Sequence, residues 1–190
     1  MRRLLSLSLL LLLPLLVQAQ NVTWYISPGR SLAFIKPACS EEDLLRDYGN
    51  WNVERTTIPL DGASVPATVL FPHDDAKRVV LLWHDDAARR QLKAAILRGN
   101  HSFWRLPGNV TLGTPYRKLV ETNARPVGVS AFGEQGGVQV SDWQNGQFAR
   151  FDRFLDIRLD GYPAAPVNGK SRPLTHNTIN EIRVFFPEPK

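Results

Sequence analysis

The chain has 190 residues, a formal net charge of +5 and a single cysteine. One cysteine excludes an intrachain disulfide, so a disulfide-stapled secreted scaffold is ruled out and the fold must rest on an apolar core. The mild positive charge, with no dense Lys/Arg stripe interleaved with aromatics, argues against nucleic acid as a partner.

The first residues read as an export signal. Arg2 and Arg3 precede an apolar run from Leu4 to Val17, broken only by Ser6, Ser8 and Pro14. This run fits the apolar region of a secretory signal and is shorter than the roughly 20 residues a bilayer-spanning helix needs. Val17 and Ala19 are small, which places the expected cut after Ala19 and the mature start at Gln20. Cys39 lies too far beyond the run to be a lipoprotein cysteine. Removing Arg2 and Arg3 lowers Lys plus Arg from 23 to 21 against 18 Asp plus Glu, so the mature charge is about +3. Residues 20–190 suit one compact domain. The expected location is the bacterial periplasm or the medium, with no membrane span in the mature chain. Asn-x-Ser/Thr triplets at Asn21, Asn100 and Asn109 are discounted, because they matter only in a eukaryotic secretory route.

The mature chain opens with two short apolar stretches, Val22–Ile26 and Leu32–Ile35, around a Pro28-Gly29 turn. Ser40 then reads as a helix N-cap, followed by Glu41, Glu42 and Asp43 on the first turn. Leu44, Leu45 and Tyr48 supply the buried face, and Gly49 ends the helix. Val53–Leu60 and Ser64–Phe71, joined by Asp61-Gly62, read as a hairpin. Pro59 and Pro66 put it at a sheet edge. Arg78–Trp83 is a continuous apolar run of the buried-strand kind. For residues 86–98, Ala87, Ala88, Leu92, Ala95 and Ile96 have helical spacing and propensity, which favours helix, although Leu92–Leu97 also reads as a strand.

Thr114-Pro115 marks a second helix start, running to about Asn123. Pro126–Phe132 and Val138–Trp143 read as another hairpin. Asn145-Gly146 reads as a two-residue turn into a long strand, Phe148–Leu159. Residues 160–178 are a Pro/Gly/Asn-rich loop, and Glu181–Phe186 is a last strand. The expected fold class is α+β, with short helices packed on antiparallel sheet. Helix, hairpin, strand occurs twice, an order compatible with two tandem helix-plus-sheet units at 40–97 and 114–159.

The stretch Val110-Thr-Leu-Gly-Thr-Pro-Tyr-Arg-Lys-Leu-Val-Glu-Thr-Asn-Ala-Arg-Pro-Val, then Ala131-Phe-Gly, Gly136-Gly-Val and Asp142-Trp-Gln-Asn-Gly, resembles a family of uncharacterised exported bacterial proteins. That family's pattern has a Gly-Thr helix start, an Asn-x-x-Pro-type segment, a Gly-Gly hairpin and a Trp-x-x-Gly turn; residues 69–83 fit its first half. This chain departs from the pattern at Ala124, at Val127 and at Glu134-Gln135. The resemblance implies an exported location and a fold, not an activity. The helix-then-sheet unit is also similar in architecture to the repeats of β-lactamase inhibitory protein and of small outer-membrane assembly lipoproteins, which are binding proteins.

Candidate chemistry is sparse. Cys39, beside the Ser40 cap, is either a thiol activated by the helix N-terminus or a packing residue on Leu44. His73-Asp-Asp75 and His84-Asp-Asp86 carry metal-ligand residue types, but His-Asp-Asp is also ordinary turn chemistry, and Lys77, Arg78, Arg89 and Arg90 would neutralise the charge. No nucleophile elbow or phosphate-cradling loop is present, and no cofactor or metal is expected. The best binding set is Trp104, Trp143 and Tyr162 near turns, with Arg105 and Gln144 adjacent, because rings with polar neighbours suit saccharide stacking or a protein hot spot. Trp83, and on composition the other tryptophans too, also suit a core. The expected function is non-enzymatic binding of an envelope protein or an anionic or saccharide polymer. The rival is an envelope hydrolase or transferase with an unrecognised site.

Overall fold

The computed structural model describes residues 24–132, 137–161 and 174–188. The expected signal peptide, the tip of the 133–136 turn, Tyr162 and most of the 160–178 loop lie outside them. Two short strands, β1 (Ile26–Ser27) and β2 (Ser31–Leu32), pair around Pro28-Gly29. Helix α1 (Glu41–Tyr48) follows, then strands β3 (Val53–Leu60), β4 (Ala63–Leu70), β5 (Val79–Asp85) and β6 (Arg90–Arg98). Helix α2 (Tyr116–Asn123) precedes β7 (Gly128–Phe132), β8 (Gly137–Asp142), β9 (Leu155–Leu159) and β10 (Ile179–Phe185).

Strands β3 to β10 form one antiparallel sheet in the order β3-β4-β5-β6-β10-β9-β8-β7. The chain is therefore α+β in outline but dominated by sheet. The first strand after each helix, β3 and β7, lies at an edge, and β6 meets β10 at the centre. Among the described residues, no helix is long and apolar enough to cross a membrane.

Helix α1 forms as its cap dictates. Ser40 Oγ accepts from the Asp43 N–H at 3.2 Å, and Asp43 Oδ2 accepts from the Ser40 N–H at 2.9 Å. This closes a reciprocal capping box. Its buried Leu44 joins the core. Glu41, on the first turn, is 3% exposed and links the helix to the sheet edge. It accepts from Arg55 Nε of β3 at 2.5 Å and from Thr68 Oγ1 of β4 at 2.6 Å. Arg89 Nε stands 3.5 Å away, and Trp83 Nε1 donates to Thr68 Oγ1 at 2.9 Å.

The main core lies between one sheet face and the layer of helices and loops. Alternation sets it: Leu155, Ile157 and Leu159 of β9 point in, while Asp156 and Arg158 occupy the other face. The second face holds a smaller apolar cluster of Ala67, Val69, Val80, Leu82, Ala94 and Ile96. Its cover is the β3–β4 hairpin. β4 pairs with β5 only from Thr68↔Leu81 to Leu70↔Val79, whereas β3 and β4 pair along their whole length. The outer hairpin packs Ile58, Leu60 and Val65 over the second cluster. β5 is thus buried on both faces, as its unbroken apolar run predicts.

Two expectations are corrected. Residues 90–98 are strand, not helix. Residues 86–89 are a turn with Arg89 at φ 50°, and Ala94–Leu97 are buried between β5 and β10. Double-sided burial outweighs a weak helix propensity. The expected strand 148–159 is strand only over Leu155–Leu159, because Ala149–Phe154 winds as a 3-10 helix. The buried Asn123 holds the chain there. Its Nδ2 donates to the Trp143 carbonyl at 2.9 Å, and its Oδ1 accepts from the Phe148 N–H at 3.1 Å.

Candidate functional site

Trp104 and Trp143 are core residues, 1% and 4% exposed, which removes them from the expected binding surface. The Trp104 indole N–H donates to the Lys77 carbonyl at 2.6 Å, and its ring meets Trp24 edge-to-face at 4.8 Å. Trp143 stacks on Phe148 at 5.1 Å. Apolar burial of so large a ring outweighs any use at the surface. Arg105 and Gln144 are exposed. Gln144 sits in the turn after β8, its backbone N–H held by Asp142 Oδ1 at 2.7 Å. Tyr162 lies outside the described residues.

The two buried tryptophans support the walls of a groove. One wall is the β1–β2 ribbon, from Tyr25 to Arg30; the other is the 3-10 turn carrying Arg150, Phe151 and Phe154; Pro107 lines it too. The groove encloses about 630 Å³. Trp104 packs behind the first wall through Trp24. Trp143 supports the second through Phe148, whose ring lies 6.2 Å from that of Phe151.

Local geometry places the groove side chains. A 3-10 helix repeats every three residues, so Phe151 and Phe154 share one side, and Arg150 and Arg153 another. The Arg150 guanidinium lies 4.6 Å from the Phe151 ring centre, and that of Arg153 lies 5.8 Å from the ring centre of Phe154. Gly29, at φ +74°, closes the opposite turn, and a Cβ there would stand 2.9 Å from the Phe154 ring. A larger residue there would force the Phe154 ring to shift. Tyr25, 39% exposed, is bridged to Arg105, so the one exposed cation from the expected set borders the groove.

Sequence reasoning missed Tyr25, Arg30, Arg150, Phe151 and Phe154. The signal was Arg150-Phe-Asp-Arg-Phe154, a period-three repeat of Arg and Phe. Strand alternation had absorbed its phenylalanines.

The remaining candidates do not assemble a catalytic or metal site. Burial pushes the Cys39 thiol up to about 12, with the Asp43 carboxylate adding to the rise, so it stays protonated and packs against the core. The His73 ring lies tilted against that of the exposed Trp51, their centres 4.3 Å apart. His84 Nε2 lies 3.3 Å from the Phe186 carbonyl, at the other end of β5. The two Asp-rich turns are thus separated by a strand. Among the described residues, no three His, Cys, Asp or Glu side chains gather as a metal set.

The second face carries an ionic cluster. Asp61, at the hairpin tip, pairs with Arg183 and Arg158; Glu181 pairs with Arg98, Arg158 and Arg183; Asp156 pairs with Arg158. The hydrogen bonds from Arg183 hold the Asp61 carboxyl below the usual carboxylate range, whereas burial pushes that of Asp156 above it.

No family model matches the sequence, and no curated protein matches it. Among solved structures, the chain is similar to the uncharacterized protein yfeY from Escherichia coli, at 10% identity and a TM-score of 0.48, over 84% of this chain and 95% of that one.

Proposed function

We propose that the chain is an exported protein that binds another component of the bacterial envelope, a protein or a polymer, without chemical turnover. The groove between the β1–β2 ribbon and the 149–154 turn carries this reading. It presents exposed cations and aromatic rings on walls fixed from behind by buried tryptophans. Rigid walls spare a ligand the cost of ordering its own site.

The export half rests on Arg2-Arg3, the Leu4–Val17 run and the small residues Val17 and Ala19. In this reading the mature protein starts at Gln20 and works in the periplasm or the medium. The motifs from Val110 to Gly146 group it with the uncharacterised exported family they resemble. The fold is read as two tandem units, α1-β3-β4-β5-β6 and α2-β7-β8-β9-β10, whose strands run from opposite edges to a shared centre. The second unit then extends to β10, past residue 159.

The test is expression of the full chain in a Gram-negative host, followed by fractionation and mass analysis. A mature N-terminus at Gln20 in the periplasm or medium is expected. A photo-crosslinker in place of Tyr25 should then join the protein to an envelope component, and Arg30→Glu/Arg150→Glu should abolish the adduct. A cytoplasmic chain retaining residues 1–19 would end the export reading; an adduct indifferent to the double substitution would end the groove reading.

A further inference from the structure

We infer that the groove takes an acidic glycan, a saccharide polymer with carboxylates on its rings. This rests on the binding reading above and names the chemistry of the partner.

Charge is the first argument. Arg30 and Arg150 line the groove, and among the described residues no carboxylate lines it. Arg105, paired through its backbone with Tyr25, and Arg153, on the 149–154 turn, neighbour lining residues without lining the groove themselves. None of these four exposed arginines has an ion-pair partner among the described residues. This contrasts with Arg98, Arg158 and Arg183 on the second face, each of which is matched to acids. A guanidinium stays charged at any physiological pH, and its planar fork matches a carboxylate with two hydrogen bonds.

Shape is the second argument. Phe151 and Phe154 are half-buried in one wall, and Tyr25 stands on the other. The electron-rich ring faces favour the weakly positive C–H face of a sugar ring. A volume of about 630 Å³ lies within the range of small-ligand clefts, enough for a short run of sugar residues.

The backbone supplies the third. β1 pairs with β2 on one side, and on the other Ile26 N–H donates to the Arg105 carbonyl at 2.8 Å. Among the described residues β1 has no free edge, so an acidic peptide does not add to it as a strand. Recognition falls to guanidiniums and rings, and these read a carboxylated sugar at both its charged and its apolar faces.

The test is calorimetric titration of the mature chain at low and moderate salt. The probes are polygalacturonate, dextran, dextran sulfate, poly-glutamate and vesicles of anionic phospholipid. Polygalacturonate should bind best, and salt should weaken it. Arg30→Gln/Arg150→Gln should reduce its affinity by about tenfold or more without changing the melting temperature. Tyr25→Ala should weaken polygalacturonate more than dextran sulfate, because the ring reads sugar faces. Equal binding of dextran sulfate, poly-glutamate or vesicles would overturn the glycan assignment. If such binding also required Arg30 and Arg150, the broader binding reading would stand. Groove-dependent binding of neutral dextran alone would likewise overturn the acidic class and keep the binding reading. If no probe bound and Tyr25 crosslinked to nothing in the envelope, both would fall.

Discussion

Asp61, at the tip of the β3–β4 hairpin, accepts two hydrogen bonds from the guanidinium of Arg183 on the central strand β10, at 2.8 and 3.2 Å. On the tip side of Thr68 the hairpin no longer pairs with β5, so this pair ties its free end to the middle of the second face. Arg183 is 6% exposed on its side chain and Asp61 54%, so only one partner is shielded from water.

Asp61→Asn should therefore loosen the hairpin without unfolding the sheet. The expected loss is about 1 kcal/mol, the modest value of a pair with one solvated partner. Amide hydrogen exchange should accelerate over residues 56–67, while β6 and β10 keep their protection. Equal acceleration in β10 would mean the pair holds the whole sheet.

The same pair sets a pH dependence. Hydrogen bonds from Arg183 lower the folded pKa of Asp61 below its unfolded value of about 3.9. Its contribution is then fully present above that unfolded value and is lost as pH falls through the lower folded one. Asp43 and Asp74 are lowered too and act in the same window. The difference between wild type and Asp61→Asn isolates the one residue. Urea midpoints of the two proteins should converge below about pH 4, and a constant gap across that range would refute the assignment.

Gly29→Ala should damage the groove first. The residue sits at φ +74°, which costs a non-glycine residue about 1–2 kcal/mol, and the added Cβ would press on the Phe154 ring at 2.9 Å. The melting temperature should fall modestly, and affinity for the groove ligand should fall further than stability alone explains. Unchanged binding would show that the Gly29–Phe154 contact does not shape the site.

Glu41→Ala should cost more than either. It leaves Arg89, 16% exposed on its side chain, with its bond to the Ala67 carbonyl but without a counter-charge, and removes the acceptor of Arg55 and Thr68. Removing one member of a buried pair typically costs about 3–5 kcal/mol, with the low end expected here because Arg55 is exposed. Chemical denaturation reads this directly, and a loss under about 1 kcal/mol would mean water replaces the carboxylate.

Much of the fold was legible where local chemistry decides it. Ser40 and Asp43 announce α1, the apolar run of β5 announces a strand buried twice, and Asp61-Gly62 announces a hairpin. β6 was half legible: Leu92–Leu97 reads as a strand, but burial on both faces erases the alternation that would separate it from a helix of the same spacing. The 149–154 turn was hidden for a related reason. Its fate depends on Asn123, 25 residues upstream of Phe148, whose side chain holds the turn after β8. The candidate site was half legible: Arg105 borders the groove, whereas Trp104 and Trp143 support its walls from within. Tryptophan near a turn does not say which side of the chain its ring takes.

The seam between β6 and β10 has a consequence for how the protein comes into being. β10 runs from Ile179 to Phe185 yet lies between β6 and β9 in the sheet. Until those residues are available, β6 and β9 each offer an unpaired inner edge, and neither half can complete its core. Contacts spanning so much sequence form slowly. A partly synthesised chain that lacks β10 therefore cannot close this sheet, and the two halves join only when β10 enters between β6 and β9.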